Sequence, residues 1–145
     1  MSPSVTAVAF TVPGVPIPKG RARSFVRNGR IGLFTPDKTV VYENLVFNQA
    51  TNAMGDQKPL EGAVALHMEA YLPIPASWSK KRSEAALSGV CRPTSKPDLD
   101  NIIKSVTDGM NCVVWLDDSQ VVAITCSKSY SDRPRVEVAV REANT

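Results

Sequence analysis

The sequence predicts an α+β fold: a mixed, roughly four-stranded sheet packed against two main helices, in a single domain spanning residues 1–145. Three observations carry this expectation. Segments 5–12, 63–72 and 135–141 alternate along the chain with the two-residue period of a half-buried strand. From Leu99 to Met110, the residues Leu99, Ile102, Ile103, Val106 and Met110 fall on one stripe of a helix. No repeat, low-complexity tract or long linker divides the chain, so the element order reads β–α–β–(short α)–α–β–β.

Residues 5–12 direct Val8, Phe10 and Val12 to one side and Ala7, Ala9 and Thr11 to the other. Pro13, Pro16 and Pro18 end that strand by removing backbone donors. Residues 19–30 then read as a basic loop, with Gly20 and Gly29 allowing close approach of a ligand. Thr35, Pro36 and Asp37 form a helix start, as N-cap, first helical residue and first-turn acid. That helix is expected to run to about Met54 with Gly55 as its C-terminal cap, and Val41, Leu45 and Phe47 suggest its buried face. In 63–72, Val64, Leu66, Met68 and Ala70 share one face, with His67 and Glu69 on the other. Ser77 is placed to cap a short helix reaching about Leu87 and ended by Gly89. Beyond Met110, Val113–Leu116 is apolar, Asp117-Asp118-Ser119 reads as a turn, and 121–130 as a strand. Ser131-Asp132-Arg133-Pro134 has the length of a hairpin connection to the last strand.

Composition narrows the function. Hydrophobic and charged contents of 43% and 21% are those of a soluble globular chain, large enough to bury a core. No apolar run reaches the ~20 residues of a membrane helix, and no signal-peptide pattern opens the chain. Cys91, Cys112 and Cys126 show no CxxC spacing, which disfavours a disulfide framework or zinc site and fits reduced thiols in a cytosol. His67, the lone histidine, reads as a rim residue, and Ser/His/Asp and Cys/His nucleophile schemes are disfavoured. The net charge is only +3, yet no acidic residue occurs before Asp37, while Lys19, Arg21, Arg23, Arg27 and Arg30 crowd one segment. Such clustering points to a polyanionic partner and marks these five residues as candidate DNA contacts.

The chemistry concentrates in 96–108, which holds three aspartates and two lysines. Two readings of these carboxylates stand side by side. In one, Asp98 caps the helix, Asp100 complements its dipole, Lys104 pairs with Asp100 at i,i+4, and Asp117-Asp118 are turn residues. In the other, Pro97 holds the preceding backbone extended, so that Asp98 shares a ligand with Asp100 while the Asp117-Asp118 turn folds back beside them. Converging carboxylates repel unless a cation sits among them, and oxygen-only ligation suits Mg²⁺. Such a site would activate water against a phosphodiester, with Lys104 beside the scissile phosphate.

The run Lys96-Pro97-Asp98-Leu99-Asp100-Asn101-Ile102-Ile103-Lys104, then Asp108, then Trp115-Leu116-Asp117-Asp118-Ser119-Gln120-Val121, resembles the core motif of the RusA family of Holliday junction resolvases. The opening 10–23 is similar to that family's first strand and basic loop. The resemblance follows the whole chain in element order, and its specific part is 96–121. It implies a homodimeric endonuclease that nicks four-way DNA junctions symmetrically using Mg²⁺, with Mn²⁺ as a substitute. It also implies a phage or prophage origin and the bacterial host cytoplasm as the place of action. By motif position, Asp98, Asp100 and Asp118 match the metal-binding carboxylates, Asp117 is their acidic neighbour, and Lys104 matches the catalytic lysine. Asp108 takes a supporting role. Cys112 departs from the glycine frequent at that position in relatives, and 74–95, with Trp78 and Lys80-Lys81-Arg82, has no counterpart role. The leading expectation is therefore a junction-resolving endodeoxyribonuclease. A non-catalytic DNA-binding module and a Mg²⁺-dependent nucleotide phosphohydrolase are the alternatives from other classes.

Overall fold

The computed structural model describes residues 6–20, 23–34 and 37–143. Strands β1 (Thr6–Pro13), β4 (Val64–Leu72), β5 (Val121–Tyr130) and β6 (Arg135–Glu142) form one mixed sheet in the order β1-β6-β4-β5. Helices α1 (Asp37–Met54) and α3 (Leu99–Met110) cover one face, and the shorter α2 (Lys80–Leu87) lies toward β5. The fold is thus the expected α+β arrangement of a mixed four-stranded sheet with two main helices.

Strand β4 is central, and its alternation behaves as its sequence predicts. Val64, Leu66, Met68 and Ala70 are buried under the helices, whereas His67 is exposed on the helix-free face. Both neighbours pair with it, β6 antiparallel and β5 parallel, so Leu66 lies between Val140 and Ile124. The hairpin expected at residues 131–134 is therefore not a hairpin. β5 and β6 flank β4 and do not pair with each other. The short connection passes over the end of β4, where Ser131 N–H donates to the Leu72 carbonyl at 2.9 Å. A parallel β4–β5 pair requires a long crossover, and α2 and α3 supply it.

A second correction concerns 19–30, which is not wholly a loop. Residues Arg23–Arg27 (β2) and Arg30–Phe34 (β3) make a separate two-stranded hairpin. Asn28 and Gly29 have φ of 53° and 75°, the left-handed pair that a tight hairpin turn demands. The signal was present as Asn-Gly between two short runs, and the arginines masked it. Thr35 and Pro36, the expected N-cap and first helical residue, lie outside the described residues.

In α1 the buried face is Thr39, Tyr42, Val46, Ala50 and Met54, whereas Val41 and Phe47 are exposed. The buried face thus lies about one residue from the expected one, running through Tyr42 and Val46, with Leu45 half-buried beside it. The cap of α2 is Ser79, not Ser77, its hydroxyl accepting from Arg82 N–H at 3.2 Å. In α3 the expected stripe holds: Ile102, Val106 and Met110 are fully buried, and Leu99 and Ile103 are half-buried. Trp115 is also fully buried, its indole N–H bonded to Asn111 Oδ1 at 2.7 Å. Between them Cys112 adopts φ 67°, so the loop keeps the left-handed turn that glycine would favour.

Gly109 sets the spacing of the two main helices. A Cβ there would lie 2.7 Å from Val46 Cβ and 2.8 Å from the Glu43 carbonyl oxygen. A backbone atom cannot swing aside, so Gly109→Ala is expected to part the helices and destabilise the fold by about 1–3 kcal/mol. Urea unfolding of the variant measures this directly, and an unchanged midpoint would contradict the packing described.

Candidate active site

The chain reaches α3 through Lys96 and Pro97, joined by a cis peptide bond. Lys128, from β5, donates to the Ser95 carbonyl at 2.8 Å and the Pro97 carbonyl at 3.1 Å, tying this connector to the sheet. The upstream segment is tied to the same strand. Arg82 lies 3.7 Å from the centre of the Trp78 ring, and that ring packs edge-on against Tyr130 at 5.1 Å. Residues 74–95, unassigned from sequence, thus fasten the crossover onto the edge of the sheet. At least Arg82 of its basic cluster is engaged internally.

Asp98 stands at the N-cap with extended backbone (φ −73°, ψ 146°), yet its side chain makes no capping hydrogen bond. The capping role expected of it is left unfilled, and its carboxylate remains exposed along with that of Asp100. Among the described residues, Asp100 Oδ1 accepts from the next backbone N–H alone, at Asn101, 3.0 Å away. Lys104 does not pair with Asp100. It turns toward the C-terminus of the helix, 2.9 Å from Asp108 Oδ1 and 3.5 Å from Asp118 Oδ2. Its pKa is raised, above all by the hydrogen bond to Asp108, against a smaller lowering by burial. The group therefore keeps its charge at neutral pH.

The two adjacent acids after Trp115 have separate roles. Asp117 caps a short 3₁₀ turn, Asp118–Gln120: its Oδ2 accepts from Ser119 N–H at 3.0 Å. Gln120 reciprocates, its Oε1 accepting from the N–H groups of Asp117 and Leu116 while its amide donates to the carbonyls of Leu60 and Gly62. Hydrogen bonding from Ser119, helped by Lys104, holds the Asp117 carboxyl below its ordinary value. Asp117 is thus committed to building the turn, and the turn presents Asp118 to Lys104.

The structure brings Lys104 and Asp118 together across fourteen residues of sequence. Among the described residues it gathers no three carboxylate, histidine or cysteine side chains closely enough to hold a metal ion. Asp98, Asp100 and Asp118 therefore border the N-terminal half of α3 without forming a closed cluster. Asp98 and Asp100 are exposed, and the half-buried Asp118 has the Lys104 ammonium beside it. The donor set itself, oxygen only, suits Mg²⁺. An open groove of about 710 Å³, bordered by Pro16, Lys19, Lys96, Pro97, Asp98 and Asn101 among others, runs past the start of the helix. His67 lies on the opposite face of the sheet, 3.7 Å from Glu69, and takes no part.

The basic segment divides. Arg21 lies outside the described residues, and of Arg23 only the backbone, in β2, is described. Arg27 and Arg30 face each other across the hairpin turn and are exposed, beside the exposed Val26 and Ile31. Lys19 differs from them. Its ammonium lies 2.6 Å from Glu43 Oε1 and 3.0 Å from Asp108 Oδ2.

These features define a class: a small α+β protein with an open groove bordered by lysines and an aspartate at a helix start. The family model for Endodeoxyribonuclease RusA matches residues 13–141, and the chain belongs to this family. It is 40% identical to the uncharacterised protein YqaN of Bacillus subtilis (strain 168), over 94% of this chain and 97% of that protein. It is 38% identical over 50 residues to the crossover junction endodeoxyribonuclease rusA of Lactococcus phage r1t, covering 34% of this chain and 38% of that one. No helix among the described residues is long and apolar enough to cross a membrane.

Lys19 yields a pH prediction. Burial lowers its pKa, but hydrogen bonds from its ammonium to Glu43 and Asp108 outweigh this, and the folded-state value stands above the ordinary 10.5. The stabilisation is then complete below 10.5 and fades as pH rises through the higher folded value. Urea midpoints of wild type and Lys19→Met should differ at neutral pH and converge in strongly alkaline solution. A gap that stays constant with pH would show that the charge of Lys19 is not what stabilises.

Proposed function

We propose that this protein is a Mg²⁺-dependent, structure-selective endodeoxyribonuclease that resolves four-way DNA junctions by paired nicks. The observation that carries the proposal is the Lys104–Asp118 contact at 3.5 Å, which joins the two halves of the acidic motif on one surface. Membership of the RusA endodeoxyribonuclease family supports the reaction class. The junction substrate is suggested by the name of the phage relative, which matches only part of the chain.

In this reading Asp98, Asp100 and Asp118 would hold the Mg²⁺, for which Mn²⁺ would substitute, and Asp117 supplies the turn that presents Asp118. The bound ion would polarise the phosphodiester and lower the pKa of a coordinated water. The uncapped carboxylate of Asp98 supports its place in the set, since a capping aspartate would have its oxygens engaged by backbone N–H groups. Lys104 offers a charge to the scissile phosphate. The hairpin tip, with Arg27 and Arg30 beside Val26 and Ile31, supplies phosphate contacts next to an apolar edge. Cutting opposed strands symmetrically requires two such sites, so the active form is a homodimer. Its place of action is the bacterial cytoplasm, where recombination intermediates arise.

Incubation with a four-way junction, matched linear duplex and free nucleotides, with and without Mg²⁺, tests the proposal. Paired nicks confined to the junction and dependent on the metal are expected. Binding with no nick in any divalent metal would make the protein a DNA-binding module. Phosphate release from nucleotides alone would make it a phosphohydrolase. Asp100→Asn is expected to abolish nicking and leave junction affinity largely intact, and a variant that cuts at the wild-type rate would remove Asp100 from the metal site. Arg27→Ala and Arg30→Ala should each weaken binding and reduce the slope of log affinity against log salt by about 1. Unchanged slopes would take the hairpin out of the DNA interface.

A further inference from the structure

Five side chains from four parts of the chain form a line of alternating charge: Glu43, Lys19, Asp108, Lys104 and Asp118. The spacings are 2.6 Å, 3.0 Å, 2.9 Å and 3.5 Å. Asp108 is the middle member, and its two oxygens are divided. Oδ2 receives Lys19 and Oδ1 receives Lys104. A lone i,i+4 pair on a helix surface is worth only a few tenths of a kcal/mol and leaves both side chains rotating. Asp108 does not rotate freely, because Lys19 occupies its second oxygen and Glu43 holds Lys19 from α1. Lys19 is held by its backbone too. Its N–H donates to the Asn101 carbonyl at 2.8 Å, and that of Gly20 donates to Thr39 Oγ1 at 3.0 Å. Ser105 Oγ bonds to the Ile17 carbonyl at 2.7 Å, so residues 17–20 form a strap across α3 and α1.

We infer that Asp108 is a positioning residue, clamped by Lys19 and Glu43, that holds the Lys104 ammonium in place beside Asp118. The functional meaning of this position rests on the nuclease reading above; the clamp itself does not. Lys19 then acts first through its two carboxylate partners, although it opens the basic segment and borders the groove beside Asp98 with about a quarter of its side chain exposed. Among the described residues Arg27 and Arg30 are the segment's exposed arginines. The division of Asp108 also orders Lys104: its ammonium has three N–H donors, and with Asp108 Oδ1 at 2.9 Å on one side, others point toward Asp118 at 3.5 Å.

The test uses the full chain with Lys19→Met, Lys19→Arg, Asp108→Asn and the Lys19→Met/Asp108→Asn double variant. Two quantities are read: the nicking rate on a four-way junction at saturating enzyme, beside junction Kd, and the rate at which an amine-specific acylating reagent labels Lys104. Lys19→Met and Asp108→Asn should lower the saturated rate about 10- to 100-fold with Kd within about 2-fold, since a small misplacement of a reacting group has that cost. Lys104 labelling should accelerate in both, and Lys19→Arg should restore most of the rate. The double variant should be no slower than the slower single one, as members of one clamp are coupled. The inference is overturned if Lys19→Met weakens junction binding, flattens its salt dependence and leaves the saturated rate unchanged. It is equally overturned if Asp108→Asn leaves Lys104 labelling as in wild type. Should the wild type nick no junction, the nuclease reading falls, and the labelling alone decides whether the clamp exists.

Discussion

The close contact of α3 with α1 at Gly109 is the constraint on which the remaining arrangement depends. With the Glu43 carbonyl 2.8 Å from where a Cβ would stand, only glycine lets the two helices meet at this separation. Glu43 and Asp108 sit one on each side of that contact, near enough for one lysine to reach both. The apolar stripe of Ile102, Val106 and Met110 then seats α3 on the sheet, leaving its polar side turned outward along one edge of the molecule. Packing, in this protein, is what brings the charges into line.

A second constraint comes from the sheet. Because β4 is flanked on both sides, β5 is pushed to the edge, where Val122 and Ile124 stay exposed. Lys128 on that edge strand reaches back to the carbonyls of Ser95 and Pro97 and fixes how the chain enters α3. Asp98 is delivered extended and uncapped as a result. The start of the helix is held by a lysine from the sheet where a capping hydrogen bond is lacking, and its aspartate is left free for other work.

The charged surface combines two kinds of carboxylate. Asp117 and Asp108 are engaged, one by backbone N–H groups of its own turn and one by two lysines. Among the described residues, Asp98 and Asp100 are exposed and nearly unbonded, and Asp118 has one long contact, to Lys104. Groups already satisfied by the protein build the frame. Groups left unsatisfied are available to a ligand, because solvent is all that a ligand must displace from them.

Much was legible in the sequence. The period of two in β4 and β6 and the helical stripe of α3 identify their buried faces without reference to anything distant, since each pattern is local. The order of elements and the resemblance of 96–121 to a nuclease motif are local too. Topology was not legible: a four-residue link between β5 and β6 reads as a hairpin, and only the demand of β4 for two partners sets them apart. Neither was the partner of a lysine. Lys104 has aspartates four residues away on both sides, and spacing favoured Asp100, with its acid ahead of the lysine, whereas the structure pairs it with Asp108. The choice of Asp108 follows from Lys19, whose place on α3 depends on a strap contributed from the other end of the chain. Sequence determined which residues carry charge and which faces are apolar; the tertiary structure decided which charges meet, because that depends on how closely two helices approach.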